Sequence, residues 1–224
     1  MSDQGEEDAL EVQRLDDKVK ARRVLNQLEK QEVEAFRRRA SFPTLSMSYV
    51  GGEGSLHGAV AMVIGEAPGA QEDQQKRPFI GQSGLVLRQL MLSGGLSPGT
   101  TPFFGDSNCW ITNVVKYRPP MNRNPTWPEI MSFRTLLRAE WVVIGHPRII
   151  IPIGGIALSA IHGRRVSIMK HAGKMAIHQS KEGYELKIWP MIHPSFGLRN
   201  EAIRPIMERD WDRFGKWFSD QNHE

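Results

Sequence analysis

The sequence predicts an α/β fold: a three-layer αβα arrangement around a central, mainly parallel, four-stranded sheet. Short apolar runs alternate with helical segments through residues 55–219, and each helical segment is long enough to return the chain to the same sheet edge. The 224 residues, 40% of them hydrophobic, are enough for one well-formed core. Neither an internal repeat nor a low-complexity linker divides the chain, so we expect a single domain over residues 1–224.

The N-terminal part precedes this alternation. Residues 1–8 are acidic and predict a disordered tail, whereas residues 9–40 are charged, rich in helix formers and only irregularly apolar. They indicate one or two surface helices. The basic run at residues 36–39 either meets phosphates or simply ends a helix in solvent.

Four strands and four helices follow in alternation. Apolar runs predict strands at 59–64, 110–115, 148–153 and 184–192, with a hairpin around residues 181–183 before the last. Helices are expected at 83–92, 128–144, 156–162 and 201–218, where Pro128 begins one and Gly94–Gly95 end another. The loops after parallel strands gather at the carboxyl edge of the sheet, where such folds bind ligands.

Composition narrows the functional classes. A net charge of +4 and a pI of about 9.3 permit a polyanionic partner without requiring one. The single cysteine, Cys109, excludes a disulfide within the chain and a multi-cysteine metal site, and we expect it to be a buried, inert thiol. No apolar run reaches the length of a membrane span, and no signal-peptide pattern is present. We expect a cytoplasmic protein without metal, cofactor or membrane contact, and a monomer by default.

The first predicted strand leads into an acidic loop. Glu66, Glu72 and Asp73 lie within a few residues of the strand end, where a carboxylate can orient or deprotonate water. Phe79 follows Arg-Pro, and a ring beside a polar pocket is a stacking platform for a planar base. The alternative is a glycine turn capped by acids, with Phe79 in the core.

The next two segments add an amide and an imidazole. Asn113 interrupts an apolar strand, so its amide either recognises a ligand or bonds to neighbouring backbone. Lys116, Arg118 and Arg123 make a stiff, proline-containing basic loop that suits a DNA backbone. His193 ends the last strand before a proline, in either a catalytic or a structural role.

The residues after His193 have similar alternatives. Ser195 is a candidate cap for the last helix. Phe196 and Leu198 are either wedges into a base stack or packing residues.

Taken in order, these motifs resemble the uracil-DNA glycosylase superfamily, and most closely its family 4 enzymes. They are GEAPG with ED (65–69, 72–73), RPFIG (77–81), ITNVVK (111–116), RPPMNR (118–123) and HPS (193–195), with SIMKHAG (167–173) before the last strand. The resemblance covers roughly residues 30–218. It implies an enzyme that flips uracil out of single- or double-stranded DNA and hydrolyses its glycosidic bond in base excision repair, in the cytoplasm or at the nucleoid, or in a host cytoplasm if the chain is viral.

The resemblance also implies roles for the pocket residues. Phe79 would stack on the flipped uracil beside Ala67, Asn113 would read its Watson–Crick edge, and His193 would donate to uracil O2. Glu66 and Asn122 would lie near the attacking water and the sugar, next to an acidic loop formed by Glu72 and Asp73. The residues implied for DNA binding are Arg118, Arg123, Ser195, Leu198 and Arg199.

Two departures from the family pattern matter. Family 4 enzymes hold a four-iron four-sulfur cluster on four cysteines, and the matching positions here are Phe36, Arg39, Tyr117 and Phe133. Cluster ligation needs thiolates, so this chain is expected to lack the cluster and to replace it with aromatic packing. Gly197 stands where relatives often carry a bulky residue, which leaves Leu198 as the expected wedge.

Other functions stay open at this point. Ala67 differs from the acidic residue of some superfamily branches, so the same fold could act on hypoxanthine, xanthine or mismatched thymine. A catalytically weak DNA-binding protein is a second alternative. An unrelated nucleotide-binding α/β protein is a third, although no phosphate loop is present.

Overall fold

The computed structural model describes residues 3–38, 45–46, 48–56, 58–99, 107–179 and 185–221. This part of the chain holds one sheet with the strand order β1-β3-β2-β4-β6-β5. Its strands are β1 (Glu53–Gly54), β2 (Ala61–Gly65), β3 (Cys109–Asn113), β4 (Ile149–Pro152), β5 (Ala176–Gln179) and β6 (Glu185–Ile188). The α-helices are α1 (Asp3–Arg38), α2 (Ala70–Gln75), α3 (Gln82–Ser93), α4 (Trp127–Val143), α5 (Gly155–His162), α6 (Pro194–Arg199) and α7 (Arg204–Asp220).

The four central strands, β3, β2, β4 and β6, run parallel to one another. The prediction of a mainly parallel sheet is therefore confirmed, but the described sheet has six strands rather than four. The additional strands β1 and β5 are antiparallel edges. Strand β6 is shorter than the predicted 184–192, although Met191 rejoins the sheet through a parallel bridge to Ile153. The predicted turn at 181–183 lies outside the described residues, between two strands that do pair as a hairpin.

Alternation along the strands divides the core into two layers. Met62 and Ile64 pack with side chains of α1, α4 and α5, whereas Ala61 and Val63 pack with α3 and α7. Successive strand residues point to opposite faces, so one short strand supplies both layers. The sheet is thereby covered on both faces, which confirms the three-layer αβα prediction.

Helix α1 differs from its prediction. Its backbone is one continuous helix from Asp3, so residues 3–8 are helical rather than a disordered tail. Leu25 is fully buried and joins the core cluster that α4 supplies. Arg38 is exposed and pairs with Glu34 at 3.7 Å. The side chain of Phe36 and all of Arg39, both predicted at former cluster positions, lie outside the described residues.

The helices near the site begin at recognisable caps. Helix α4 has a capping box, in which Thr126 accepts from the Glu129 N–H and Glu129 accepts from the Thr126 N–H. The sequence missed α2 and α6, which are six residues long each. The predicted helix 201–218 is a 3₁₀ turn (Glu201–Ile203) followed by α7. Among the described helices, none combines the length and apolarity that a membrane span requires.

Candidate active site

The carboxyl ends of the parallel strands bring the predicted site residues to one edge of the sheet. Gly65, the last residue of β2, pairs with Asn113, the last residue of β3. Beyond β4, the N–H of Gly154 donates to the carbonyl of Met191 at 2.8 Å, two residues before His193. Motifs far apart in sequence therefore meet within one shallow region.

Gly65 creates the space in which an aromatic ring and an amide lie side by side. A Cβ at this position would collide with the Phe79 ring and with Asn113 Oδ1. Asn113 is 3% exposed, and within the described part of the chain its amide makes no hydrogen bond to another residue. An amide offers both a donor and an acceptor, so Asn113 can recognise the edge of a bound base.

Phe79 is held in an unusual backbone conformation. Its φ is 53°, in the left-handed region, at a cost on the order of 1–3 kcal/mol for such a residue. Arg88 Nε donates to its carbonyl at 3.3 Å, and the ring lies 6.3 Å from that of His193 with a tilt of 33°. The side chain is 5% exposed, so the ring is a fixed pocket wall.

Glu72, predicted as part of an acidic loop near the water, bonds to backbone groups of its own loop. Its Oε2 accepts from the Gly69 N–H at 3.1 Å, and its Oε1 accepts from the N–H groups of Ile80 and Gly81 at 3.2 and 2.9 Å. These bonds join the start of the acidic loop to the turn that carries Phe79. Glu72 therefore positions the Phe79 ring.

Asp73 is likewise used to hold loops together. Its Oδ1 accepts from the Ser46 hydroxyl at 2.6 Å. Ser46 in turn bonds to Arg118: its N–H donates to the Arg118 carbonyl at 2.9 Å, and its hydroxyl accepts from the Arg118 N–H at 3.3 Å. The predicted acidic loop is thus tied to the basic loop. Of the three acidic residues in the first loop, Glu66 is the one that faces the pocket.

Glu66 and His193 meet at Gly154. A Cβ on Gly154 would lie 2.5 Å from Glu66 Oε1 and 3.2 Å from His193 Cβ. Gly154 has a φ of +93°, which side-chain-bearing residues rarely adopt. The glycine therefore leaves room for the Glu66 carboxylate beside the Cβ of His193. The Gly154–Gly155 pair marks this turn in the sequence, but its role at the site was not predicted.

The hydrogen bonds of His193 define its tautomer. Its Nδ1 accepts from the Ser195 N–H at 3.2 Å and lies 2.8 Å from the Ser195 hydroxyl. A nitrogen that accepts carries no proton, so Nε2 carries the hydrogen and is the donor. Burial lowers the pKa of His193 to about 4, with Arg199 contributing in the same direction. The group is therefore a neutral donor at pH 7, and Ser195 orients it instead of capping the last helix.

Glu66 is the carboxyl group whose environment suits proton chemistry. Burial raises its pKa to about 7, although the Ile156 N–H and the positive charge of Arg199 act in the opposite direction. A carboxyl group with a pKa near the working pH can exchange its proton readily. Its protonation state therefore changes within the physiological range.

Helix α6 presents an exposed edge beside these groups. Leu198 is 44% exposed and Phe196 39% exposed. Arg199 is also exposed, and its charge acts on both Glu66 and His193. The segment thus combines apolar side chains with a cation at the mouth of the pocket.

The structure does not bring every predicted residue into the pocket. Asn122 is exposed on the 3₁₀ turn Pro120–Asn122, where its Oδ1 accepts from Arg118 Nε at 2.8 Å. Ala67 packs against the core layer on the α4 side. The catalytic role of Asn122 and the base contact of Ala67 stay predictions without a structural contact that supports them.

Two of the three cations of the basic loop form ion pairs with glutamates of the same chain. Arg123 forms a two-point pair with Glu129, at 2.7 and 2.9 Å. Lys116 is fully buried, and its ammonium lies 2.8 Å from both oxygens of Glu140. The predicted contact of Lys116 with a DNA backbone is therefore wrong, because a fully buried ammonium cannot reach a phosphate.

Two of the positions that the resemblance matches to cluster cysteines, Tyr117 and Phe133, lie in the described part of the chain and carry aromatic rings. Tyr117 and Phe133 pack with ring centroids 5.8 Å apart, and Tyr117 also meets the ring of Tyr49 at 5.7 Å. Cys109 lies at the opposite end of β3 from Asn113, and its thiol donates to the Ser97 carbonyl at 3.3 Å. Cluster ligation needs several thiolates, so these residues cannot supply it. The aromatic packing expected for Tyr117 and Phe133 is confirmed.

Fold and site together define a class of protein. A doubly covered parallel sheet gathers a fixed ring, an uncommitted amide, a neutral imidazole donor and a proton-exchanging carboxyl group at its carboxyl edge. This combination is suited to binding a planar base and cleaving a bond to it. Comparison with known proteins agrees: the model of the family described as "Uracil DNA glycosylase superfamily" matches residues 52–214.

Curated relatives cover most of the chain. It is 35% identical over 165 residues to the type-4 uracil-DNA glycosylase of Thermotoga maritima, covering 72% of this chain and 79% of that protein. The enzyme of the same name from Sulfurisphaera tokodaii is 35% identical over 160 residues, covering 69% and 68%. That from Saccharolobus solfataricus is 34% identical over 166 residues, covering 72% of each chain. The chain belongs to the uracil-DNA glycosylase superfamily.

Proposed function

We propose that the protein is a monofunctional uracil-DNA glycosylase, which hydrolyses the bond between uracil and deoxyribose and leaves an abasic site for base excision repair. The observation that carries the proposal is the meeting of Phe79, Asn113, Glu66 and His193 at one sheet edge. Family membership and the relatives' common name support it. Uracil in DNA is the substrate, in either single or double strands.

Recognition of the base rests on the ring and the amide. An extruded uracil loses its stacking at a cost of a few kcal/mol, and the fixed face of Phe79 restores part of it. The Asn113 amide donates to uracil O4 and accepts from its N3–H, a pattern that cytosine cannot match. The conformation of this pair is set by Gly65 and by the Glu72 bonds.

His193 assists departure of the base. As the glycosidic bond lengthens, negative charge develops on uracil, and the Nε2–H of His193 donates to O2. Because the pKa of His193 is lowered to about 4, the imidazole is neutral at neutral pH and keeps a single hydrogen, on Nε2, with which it donates. A preorganised donor of this kind acts mainly in the transition state.

Glu66 serves the water that attacks the sugar. The carboxylate accepts one backbone N–H, that of Ile156, and its second oxygen can bind water. Ionised Glu66 both orients this water and stabilises the positive charge of the oxocarbenium-like sugar. The water bonds to the sugar carbon and gives its proton to the Glu66 carboxylate, while the glycosidic bond breaks and its electron pair leaves with uracil as an anion.

The DNA strand is held by the exposed residues of α6. Leu198 is the apolar wedge for the gap left by the base, and Arg199 is a cation for the phosphates. Arg118 and Arg123 are further cations for the phosphates, and they are held in place by their bonds to Asn122 and Glu129. We also propose a monomer that acts in the cytoplasm, which light scattering and cell fractionation would test.

Uracil release from a labelled single-stranded oligonucleotide tests the proposal. Wild-type protein is expected to give alkali-labile cleavage at uracil, with full activity in the presence of a chelator. Asn113→Ala and His193→Ala are each expected to lower the rate by orders of magnitude. His146→Ala is the matched control, because this exposed histidine precedes β4 and therefore lies at the amino-terminal edge of the sheet, opposite the site.

No cleavage at uracil by the folded wild type would contradict the proposal. The same assay with hypoxanthine, xanthine and mismatched thymine would then separate a changed substrate from a protein that only binds DNA. Activity lost with the chelator and restored by iron would contradict the absence of a cluster.

A further inference from the structure

A cavity is lined by Glu66 on the side of helices α4 and α5. It has a volume of about 390 Å³ and is lined by Glu66, Asn124, Trp127, Ile156, Ser159 and Arg165, among others. None of the other residues takes part in the uracil contacts proposed above. The cavity therefore offers an aromatic surface, polar groups and a cation immediately beside the reaction centre.

Trp127 is held firmly at the wall of this cavity. It is the first residue of α4, directly after the Thr126 cap, and packs partly against the core. Glu129 fixes this helix start from both sides, through the Thr126 N–H at 2.7 Å and the two-point pair with Arg123. A ring fixed in this way loses little entropy when a flat ligand stacks on it.

Arg165 also lines the cavity, in a segment tied to α5. The Val166 N–H donates to the Ser159 hydroxyl at 3.0 Å, and the same hydroxyl donates to the Val166 carbonyl at 3.4 Å. Arg165 is exposed and joins none of the ion pairs found among the described residues. Its guanidinium can therefore bind a phosphate.

We infer that this cavity is a subsite for the nucleotide next to the extruded uridine, whose base stacks on Trp127 and whose phosphate contacts Arg165. The inference rests on the proposed function and specifies how the strand is bound. Glu66 lines the cavity and also lies close to His193 Cβ at Gly154, so a nucleotide bound at the proposed uracil site places its neighbour close to the cavity. Stacking platforms with a nearby cation are how proteins hold unpaired strands without reading their sequence.

Substrates with a missing base test the subsite. Single-stranded oligonucleotides carry uracil with an abasic tetrahydrofuran residue on the 5′ side, on the 3′ side or on neither. Trp127→Ala is expected to raise KM for the complete substrate by roughly 5- to 100-fold, the range that base stacking supplies. On the substrate lacking the stacked base, the variant and wild type are expected to have the same KM.

Further variants separate stacking from folding. Trp127→Phe keeps an aromatic ring and is expected to restore most of the affinity. Arg165→Gln is expected to raise KM and to reduce the salt dependence of binding, whereas Arg164→Gln, an exposed neighbour outside the cavity, is the matched control.

The outcomes are distinguishable from failure of the proposed function. If wild type releases uracil but the ratio of KM values between Trp127→Ala and wild type is the same on all three substrates, the ring acts only structurally and the inference is wrong. Failure of the proposed function would instead appear as no uracil release from any substrate.

Discussion

Two neighbouring regions bury charge in opposite ways. The ion cluster, formed by Thr112, Lys116 and Glu140, lies on one face of β3, and the pocket with Asn113 lies on the other. In the ion cluster, the Lys116 ammonium lies 2.8 Å from both Glu140 oxygens and also donates to the Thr112 hydroxyl. In the pocket, Glu66 accepts a single backbone N–H, and the amide of Asn113 bonds to no described residue.

The difference separates positioning from chemistry. Burial raises the pKa of Glu140, and the ammonium of Lys116 counteracts this within a fully satisfied group. Burial raises the pKa of Glu66 to about 7 with no countercharge in direct contact. Polar groups whose hydrogen bonds are all made within the protein hold the sheet edge in place. Groups that still have free donors or acceptors, such as Glu66 and Asn113, can bind substrate. Each prediction below tests one side of this contrast.

The largest effect is expected from breaking the ion cluster. Lys116→Met leaves the Glu140 carboxyl group buried without its partner, at a cost of about 3–5 kcal/mol in the free energy of unfolding. Denaturant unfolding followed by circular dichroism measures this loss. Glycosylase activity per folded molecule is expected to fall much less, because no residue of the cluster touches the base.

A double variant provides the control for this prediction. Lys116→Met with Glu140→Leu removes both charges, and most of the lost stability is expected to return. A double variant as unstable as the single one would mean that packing, and not the unpaired charge, determines the loss. The ion cluster would then no longer contrast with the pocket.

The next effect concerns the pocket and falls on rate. His193→Ala removes one preorganised donor, and kcat is expected to fall by about 10²–10³. At low pH, by contrast, the His193→Ala variant is expected to gain stability relative to wild type. In wild type the pKa of His193 is lowered from 6.5 to about 4, so the folded state loses stability as pH falls from 6.5 towards 4, and the variant escapes this loss.

Single-turnover kinetics and unfolding at pH 5 and pH 7.5 measure both effects. Equal loss of stability at the two pH values would contradict the assigned neutral state of His193. Ser195→Ala is an informative companion, because it removes the hydroxyl but keeps the backbone N–H that orients the ring. Its rate is expected to fall between those of wild type and His193→Ala.

The sequence predicted the centre of this molecule better than its edges. Apolar runs revealed the four parallel strands, and the motifs after them identified Phe79, Asn113 and His193. Strand β1 has only two residues and shows no periodicity, so only tertiary pairing reveals it.

The roles of individual charges were harder to predict. The sequence placed Glu72 in an acidic loop near the water because it follows a strand end. Its bonds to Ile80 and Gly81 could not be predicted, because they span eight and nine residues and follow no local pattern. The pairing of Arg123 with Glu129 was easier to predict. Thr126 followed three residues later by Glu129 is a capping-box pattern, which places the Glu129 carboxylate at the helix start near Arg123. No sequence pattern indicated that Lys116 is fully buried.

A moderate effect is expected at Glu72, which resembles the ion cluster in being fully bonded. Glu72→Gln replaces one accepting oxygen with an amide that cannot accept from the backbone N–H groups. We expect a loss of about 1.5–3 kcal/mol in stability, typical of hydrogen bonds to a charged group. The Phe79 turn loosens, so KM should rise more than kcat falls. An unchanged KM would contradict the positioning role.

The smallest effect on stability is expected at Glu66. Its substitution should stabilise the protein, whereas those at Lys116 and Glu72 should destabilise it. The unfolded carboxyl group has a pKa near 4.5 and the folded one about 7. The folded state therefore holds the proton more tightly, and wild-type stability falls as pH rises from 4.5 to 7. Glu66→Gln removes this loss, so the variant should be more stable than wild type above pH 7, by about 1–3 kcal/mol after allowance for partial solvent exposure.

The same titration should appear in catalysis. Wild-type kcat/KM is expected to rise with pH through about 7, because the ionised form of Glu66 orients the water. Glu66→Gln should have low activity and no such rise, while its stability no longer declines between pH 4.5 and 7. A variant that loses both activity and stability at pH 8 would place Glu66 with the fully bonded groups such as Glu140. The contrast between positioning and chemical carboxylates would then fail at its most informative residue.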